Sequence, residues 1–192
     1  MTVLRAVSKG RTFLVLFARV VLIAATMGFV LPAHALYDPK SDPSLAPAQG
    51  EWVGSLTYRD YQQPDRMVTL PTRLFAALGA PDTLVLHYVF DDGPGKTVYS
   101  YESIRFDFAK SVLTWTTGDV DRIGTDYRIV SVDRQPTLTR VVFEGASKDD
   151  GRVRVMIEVE AQRLMLKKEE IDAAGNALLR NTFLFRRAPV PG

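Results

Sequence analysis

Residues 152–160 read Arg-Val-Arg-Val-Met-Ile-Glu-Val-Glu, and this alternation restricts the fold more than any other feature of the chain. Val153, Val155, Ile157 and Val159 fall on one side of a pleated strand, with Arg152, Arg154, Glu158 and Glu160 on the other. A two-residue apolar period with charged alternates requires a strand with one face in water. Nine further segments read as strands: 51–61, 66–75, 83–90, 97–106, 111–117, 126–132, 138–145, 163–171 and 177–187. In the first of them Trp52, Gly54, Leu56 and Tyr58 share a face, opposite Ser55, Thr57 and Arg59.

The connectors suit hairpins. Asp91-Asp92-Gly93-Pro94-Gly95, Asp149-Asp150-Gly151 and Ala174-Gly175-Asn176 supply the Gly and Asp residues that tight turns need. Two helical contenders exist, at 72–78 and 169–174, each short enough only to cap or plug a sheet. The series therefore predicts an all-β protein, an antiparallel meander of about ten strands. Closing it into a barrel of about 8–10 strands removes the exposed edges. The rival is a two-sheet sandwich, which needs long crossing connections that this chain has few of.

The first 35 residues read as an export signal. Arg5, Lys9, Arg11 and Arg19 precede or interrupt the apolar stretch, residues 20–31 are apolar, and Ala33-His34-Ala35 is an A-x-A cleavage site. The apolar run is shorter than the about 20 residues a membrane-spanning helix needs. The expected organisation is a signal peptide at 1–35, a Pro-spaced flexible linker at 36–49, a barrel domain at 50–188 and a tail at 189–192. That places the protein in the periplasm or outside the cell, with no stable membrane insertion after cleavage.

Charge and composition narrow the chemistry. The leader holds four of the 24 Lys and Arg residues and none of the 22 Asp and Glu, so the remainder carries 20 positive against 22 negative charges. A near-neutral domain gives no electrostatic footprint for nucleic acid. With no cysteine there are no disulfides, no thiol catalysis and no thiolate metal site. The 192 residues less the 35 of the leader leave 157, enough for one domain with its own core.

Few groups suggest catalysis. His87 is the sole histidine after the leader, in an apolar strand, and reads as a strand-face histidine with a haem or metal ligand as the alternative. No second histidine or cysteine stands ready to complete a metal site, so no cofactor or metal is expected. Gly95-Lys96-Thr97 lacks the upstream glycine and following helix of a phosphate loop. The acidic pairs at Asp91-Asp92, Asp119 with Asp121, Asp149-Asp150 and Glu169-Glu170 read as solvated turns. A non-enzymatic protein follows. Aromatic residues on strands are the more suggestive group, because a tyrosine joins an apolar body to a polar tip and suits a wall for an amphipathic ligand. The candidate wall is Trp52, Leu56, Tyr58, His87, Tyr88, Tyr99, Tyr101 and Trp115.

Gly50-Glu51-Trp52 opens the first strand as a G-x-W, and the last strand brings Arg180, Arg186 and Arg187 near the C-terminus. This pattern resembles the lipocalin-like, calycin-type β-barrels. The resemblance extends to the barrel and not to the lipocalins' C-terminal helix. It implies that Trp52, entered from Gly50, closes the barrel floor, and that a last-strand arginine, Arg180 or Arg186 among them, packs across it. It also implies a binding protein for a small apolar or amphipathic molecule. The alternative is a structural or interaction module of the cell envelope with a filled barrel.

Overall fold

The structure is a computed structural model and describes residues 46–79, 82–118, 123–147 and 151–189. The expected leader, most of the linker, the end of the tail, and Asp119, Asp121, Asp149 and Asp150 lie outside the described residues.

Ten strands form one closed antiparallel barrel: β1 (Gly50–Arg59), β2 (Met67–Leu78), β3 (Thr83–Asp91), β4 (Thr97–Asp107), β5 (Val112–Thr117), β6 (Ile123–Arg134), β7 (Leu138–Ala146), β8 (Arg152–Glu160), β9 (Arg163–Ile171) and β10 (Ala177–Arg187). Each strand pairs with the next, and β10 returns to β1 from Trp52↔Arg187 to Tyr58↔Asn181. Neither helical contender is a helix: 72–78 is strand, and 169–174 is a strand end and its turn. In residues 72–78, Thr72, Leu74 and Ala76 are buried while Arg73, Phe75 and Ala77 are exposed, so a period of two prevails. Residues 169–171 finish β9, and a hairpin closes after them through Asp172 N–H to the Asn176 carbonyl at 3.0 Å.

The barrel has a lower end, where β1 begins, and an upper end, where β1 finishes. The lower half is packed solid. Trp52, Leu74, Leu86, Ile104, Leu113 and Leu164 are at most 1% exposed. Each fully buried apolar side chain of this size contributes about 1.5–3 kcal/mol. The valine and isoleucine face of β8 points inward as the alternation predicts.

Trp52 forms the floor. Its indole N–H donates to the Ala48 carbonyl at 2.9 Å, in a 3-10 turn at Ala46–Ala48 that precedes β1. Gly54 sits where the β1 backbone meets β10 most closely. A Cβ there would lie 2.0 Å from the Leu184 carbonyl oxygen. Only glycine permits that approach.

The outer wall of β6–β9 is charged and ordered. Glu144, 8% exposed, is surrounded by Arg128, Arg152 and Arg154 at 2.9–3.8 Å. Glu158 is held by Arg140 at 2.6 Å and Arg163 at 3.0 Å. These pairs keep that face polar.

Candidate functional site

Inward-facing positions change character along the barrel. In β4, Phe106 and Ile104 are buried and apolar, and the next inward residue toward the upper end is Glu102. In β9, Leu164 and Leu166 are followed on the same face by Lys168. In β10, Phe185 and Phe183 are followed by Asn181. The three polar groups lie at adjoining levels, where packing stops and a cavity of about 170 Å³ opens.

Glu102 is the chemical centre of this cavity. Its carboxylate accepts a hydrogen bond from the Trp115 indole N–H at 3.0 Å. Burial pushes its pKa above the ordinary carboxyl value, while the Trp115 hydrogen bond and the Lys168 ammonium pull the other way. Lys168 also lines the cavity, yet it makes no ion pair with Glu102 among the described residues. The two charges face the same space without touching.

Aromatic rings make the rest of the wall. Trp115 and Tyr127 both rest on the buried Phe143, with ring centres 5.8 and 5.4 Å away. Gly145 in β7 permits this placement, since a Cβ there would fall 2.7 Å from the Tyr127 ring. Burial, aided by the Glu102 charge, raises the Tyr127 phenol, so it stays protonated. Phe183 closes the opposite side, and Thr117 and Thr125 stand exposed at the mouth.

Behind Phe183 lies Tyr88, with ring centres 4.9 Å apart. Tyr88 is fully buried, and its hydroxyl has no hydrogen-bond partner among the described residues. Desolvation, with a further contribution from Glu102, raises this phenol well above its ordinary value. It is therefore a neutral, buried donor in want of an acceptor.

The predicted wall residues separate into three groups. Trp115 lines the cavity, and Tyr88 is buried beside it. Trp52, Leu56 and Tyr58 share the inward face of β1, but Trp52 is in the floor, and Leu56 and Tyr58 are half-buried away from the cavity. His87, Tyr99 and Tyr101 belong to the outer wall, contrary to the expectation that they face the interior. The strand period explains the difference: Leu84, Leu86 and Tyr88 take the inner face of β3, so His87 must point out. There it stacks on Tyr101 at 4.2 Å, with Tyr99 and Phe75 each at 5.9 Å.

The arginines also divide. Arg187 packs its guanidinium 3.8 Å from the centre of the Trp52 ring. Gly50 makes room for it, since a Cβ at that position would lie 2.6 Å from Arg187. Arg186 points away from the barrel and is exposed, and Arg180 pairs with Glu170 at 3.3 Å near the upper end. Neither reaches Trp52, because register places only position 187 opposite it.

Glu102, Lys168, Asn181 and Phe183 were not singled out in the sequence. A signal existed for two of them. Glu102 and Lys168 each continue an apolar inward face, and a charge on such a face marks an interior polar site. Among the described residues no group of three or more His, Asp or Glu is placed to hold a metal. No helix there is long and apolar enough to cross a membrane.

No family model matches the chain, and no curated protein matches it. Among solved structures, the crystal structure of Rv2717c from M. tuberculosis superposes with a TM-score of 0.56 at 10% sequence identity. The match covers 76% of this chain and 95% of that one. At this identity the likeness concerns the fold.

Proposed function

We propose that this protein is an exported, non-enzymatic binding protein that holds one small amphipathic molecule in the upper half of a lipocalin-like barrel. The observation that carries this reading is the interior cavity in which Glu102 and Lys168 face shared space between the rings of Trp115, Tyr127 and Phe183. Charged groups are costly to place inside a barrel unless something compensates them. A solid core would have served stability better at these positions, as it does in the lower half. The volume limits the occupant, since a cavity of about 150 Å³ takes a molecule the size of benzene. The basic leader ending in Ala33-His34-Ala35 supports a periplasmic or secreted location, and the near-neutral remainder supports a partner other than nucleic acid.

Native mass spectrometry of the protein purified without denaturation from its own host tests this reading. A single small adduct that disappears on unfolding is the expected result. A bare protein mass under conditions that preserve the fold would count against it.

A second reading, an interaction module of the cell envelope, is favoured by the outer cluster of Phe75, His87, Tyr99 and Tyr101. Phe75, Tyr99 and Tyr101 are 41–61% exposed. A photo-crosslinking residue at position 101 tests it in cells. One recurrent envelope adduct supports the module, and no adduct removes it.

A further inference from the structure

We infer that the occupant of the upper cavity is a planar aromatic molecule of zero net charge that carries both a hydrogen-bond donor and an acceptor. This rests on the proposed binding role of the same cavity and adds its ligand class.

The charges inside the cavity decide the net charge of the guest. Glu102 contributes one carboxylate and Lys168 one ammonium, and the two do not neutralise each other by contact, whereas Lys167, the other charged residue of the lining, is already paired with Glu169. A cationic guest satisfies Glu102 but stands in the same small space as Lys168. An anionic guest satisfies Lys168 but meets Glu102. Either leaves one half-buried charge opposed, which costs more here than in open water. A neutral guest with a donor end and an acceptor end satisfies both groups.

Polar atoms on the wall point to the same pattern. One oxygen of Glu102 takes the Trp115 N–H, and the carboxylate retains capacity to accept from a ligand N–H or O–H. Lys168 offers donors only, and Asn181 offers either role. An acceptor atom on the guest gives these donors a target. Sites that pair buried polar groups with ligand atoms discriminate strongly against analogues lacking them.

The rings set the shape. Trp115 and Tyr127, from the paired strands β5 and β6, and Phe183, from β10, present aromatic surface to the cavity, which suits a flat ring that stacks or packs edge-on. The volume leaves room for one ring and a short substituent.

Calorimetric titration of the folded protein at pH 7 with four matched probes tests the class. Benzamide carries donor and acceptor without charge, benzoate is an anion, benzylamine a cation, and toluene is apolar. Benzamide is expected to bind at least tenfold tighter than each of the others. Lys168→Met should move the ranking toward benzylamine, and Glu102→Gln toward benzoate. If a charged probe or toluene binds as tightly as benzamide to the wild type, the class is wrong and the binding role stands. If no probe binds a protein whose circular dichroism shows an intact barrel, both fail. If a charge variant does not fold, the wild-type ranking alone decides.

Discussion

The Arg187 guanidinium lies 3.8 Å from the centre of the Trp52 ring and ties the last strand to the first. It also donates to the backbone carbonyls of Pro47, Gln49 and Ala161, so one side chain joins the floor, the entering chain and the β8–β9 turn. A cation over an indole contributes about 0.5–2 kcal/mol, and each hydrogen bond from a charged donor about 1.5–3 kcal/mol.

Arg187→Ala should therefore destabilise the barrel by about 2–4 kcal/mol, allowing for partial replacement by water. In a domain of this size that lowers Tm by on the order of 10 °C. Arg186→Ala, one residue away on the exposed face, should change stability by less than about 0.5 kcal/mol. Parallel thermal melts of the two variants check this, and equal losses would refute the assignment.

Gly54→Ala should be the most damaging small substitution in β1. The added methyl meets the Leu184 carbonyl at 2.0 Å and the Phe185 Cα at 2.9 Å, both backbone and unable to yield cheaply. Separating β1 from β10 opens the barrel, so a loss of more than about 3 kcal/mol is expected. Urea denaturation gives the midpoint, and a midpoint near wild type would show that the β1–β10 seam tolerates the bulk.

Glu144→Ala should destabilise by about 1–3 kcal/mol, because it leaves Arg128, Arg152 and Arg154 together without their shared carboxylate. The arginines are partly exposed, so salt screens their repulsion. The gap from wild type should narrow between low salt and about 1 M NaCl. Melts across that series check the direction.

Glu102→Gln should raise stability at neutral pH and change it little in acid. Burial lifts the Glu102 carboxyl above its ordinary value, so the folded protein holds that proton more tightly than the unfolded chain does. The associated stability is fully present below the ordinary carboxyl range and is lost as pH rises through the folded value. Glutamine keeps an acceptor for the Trp115 N–H and never ionises. Tm measured at pH 4 and pH 8 should show a gain only at the higher pH.

The strand order was legible because charge alternates with aliphatic residues in β8, and turn residues mark the hairpins on either side of most strands. Residues 72–78 misled because Arg-Leu-Phe-Ala-Ala-Leu suits a helix locally, and pairing with β1 and β3 overrides that preference. The floor was legible from Gly50 and Trp52, but choosing among three arginines needed the register. The cavity was mostly hidden. Choosing aromatics by residue type mixed inner Trp115 and Tyr88 with outer His87, Tyr99 and Tyr101, because type does not encode face. Counting inward from Ile104 and Leu166 would have reached Glu102 and Lys168.

The two tryptophans allow the central claim to be read directly. Trp52 and Trp115 each hold their indole N–H in a hydrogen bond, one in the floor and one on the cavity wall. A nitrogen–proton correlation NMR spectrum of the labelled protein, with Trp115→Phe to assign the signals, reports both sites at once. Titration with benzamide should shift the Trp115 indole signal in a saturable way and leave the Trp52 signal in place. A Trp115 signal that does not move at saturating benzamide, or a shift confined to Trp52, would contradict a ligand in the upper cavity.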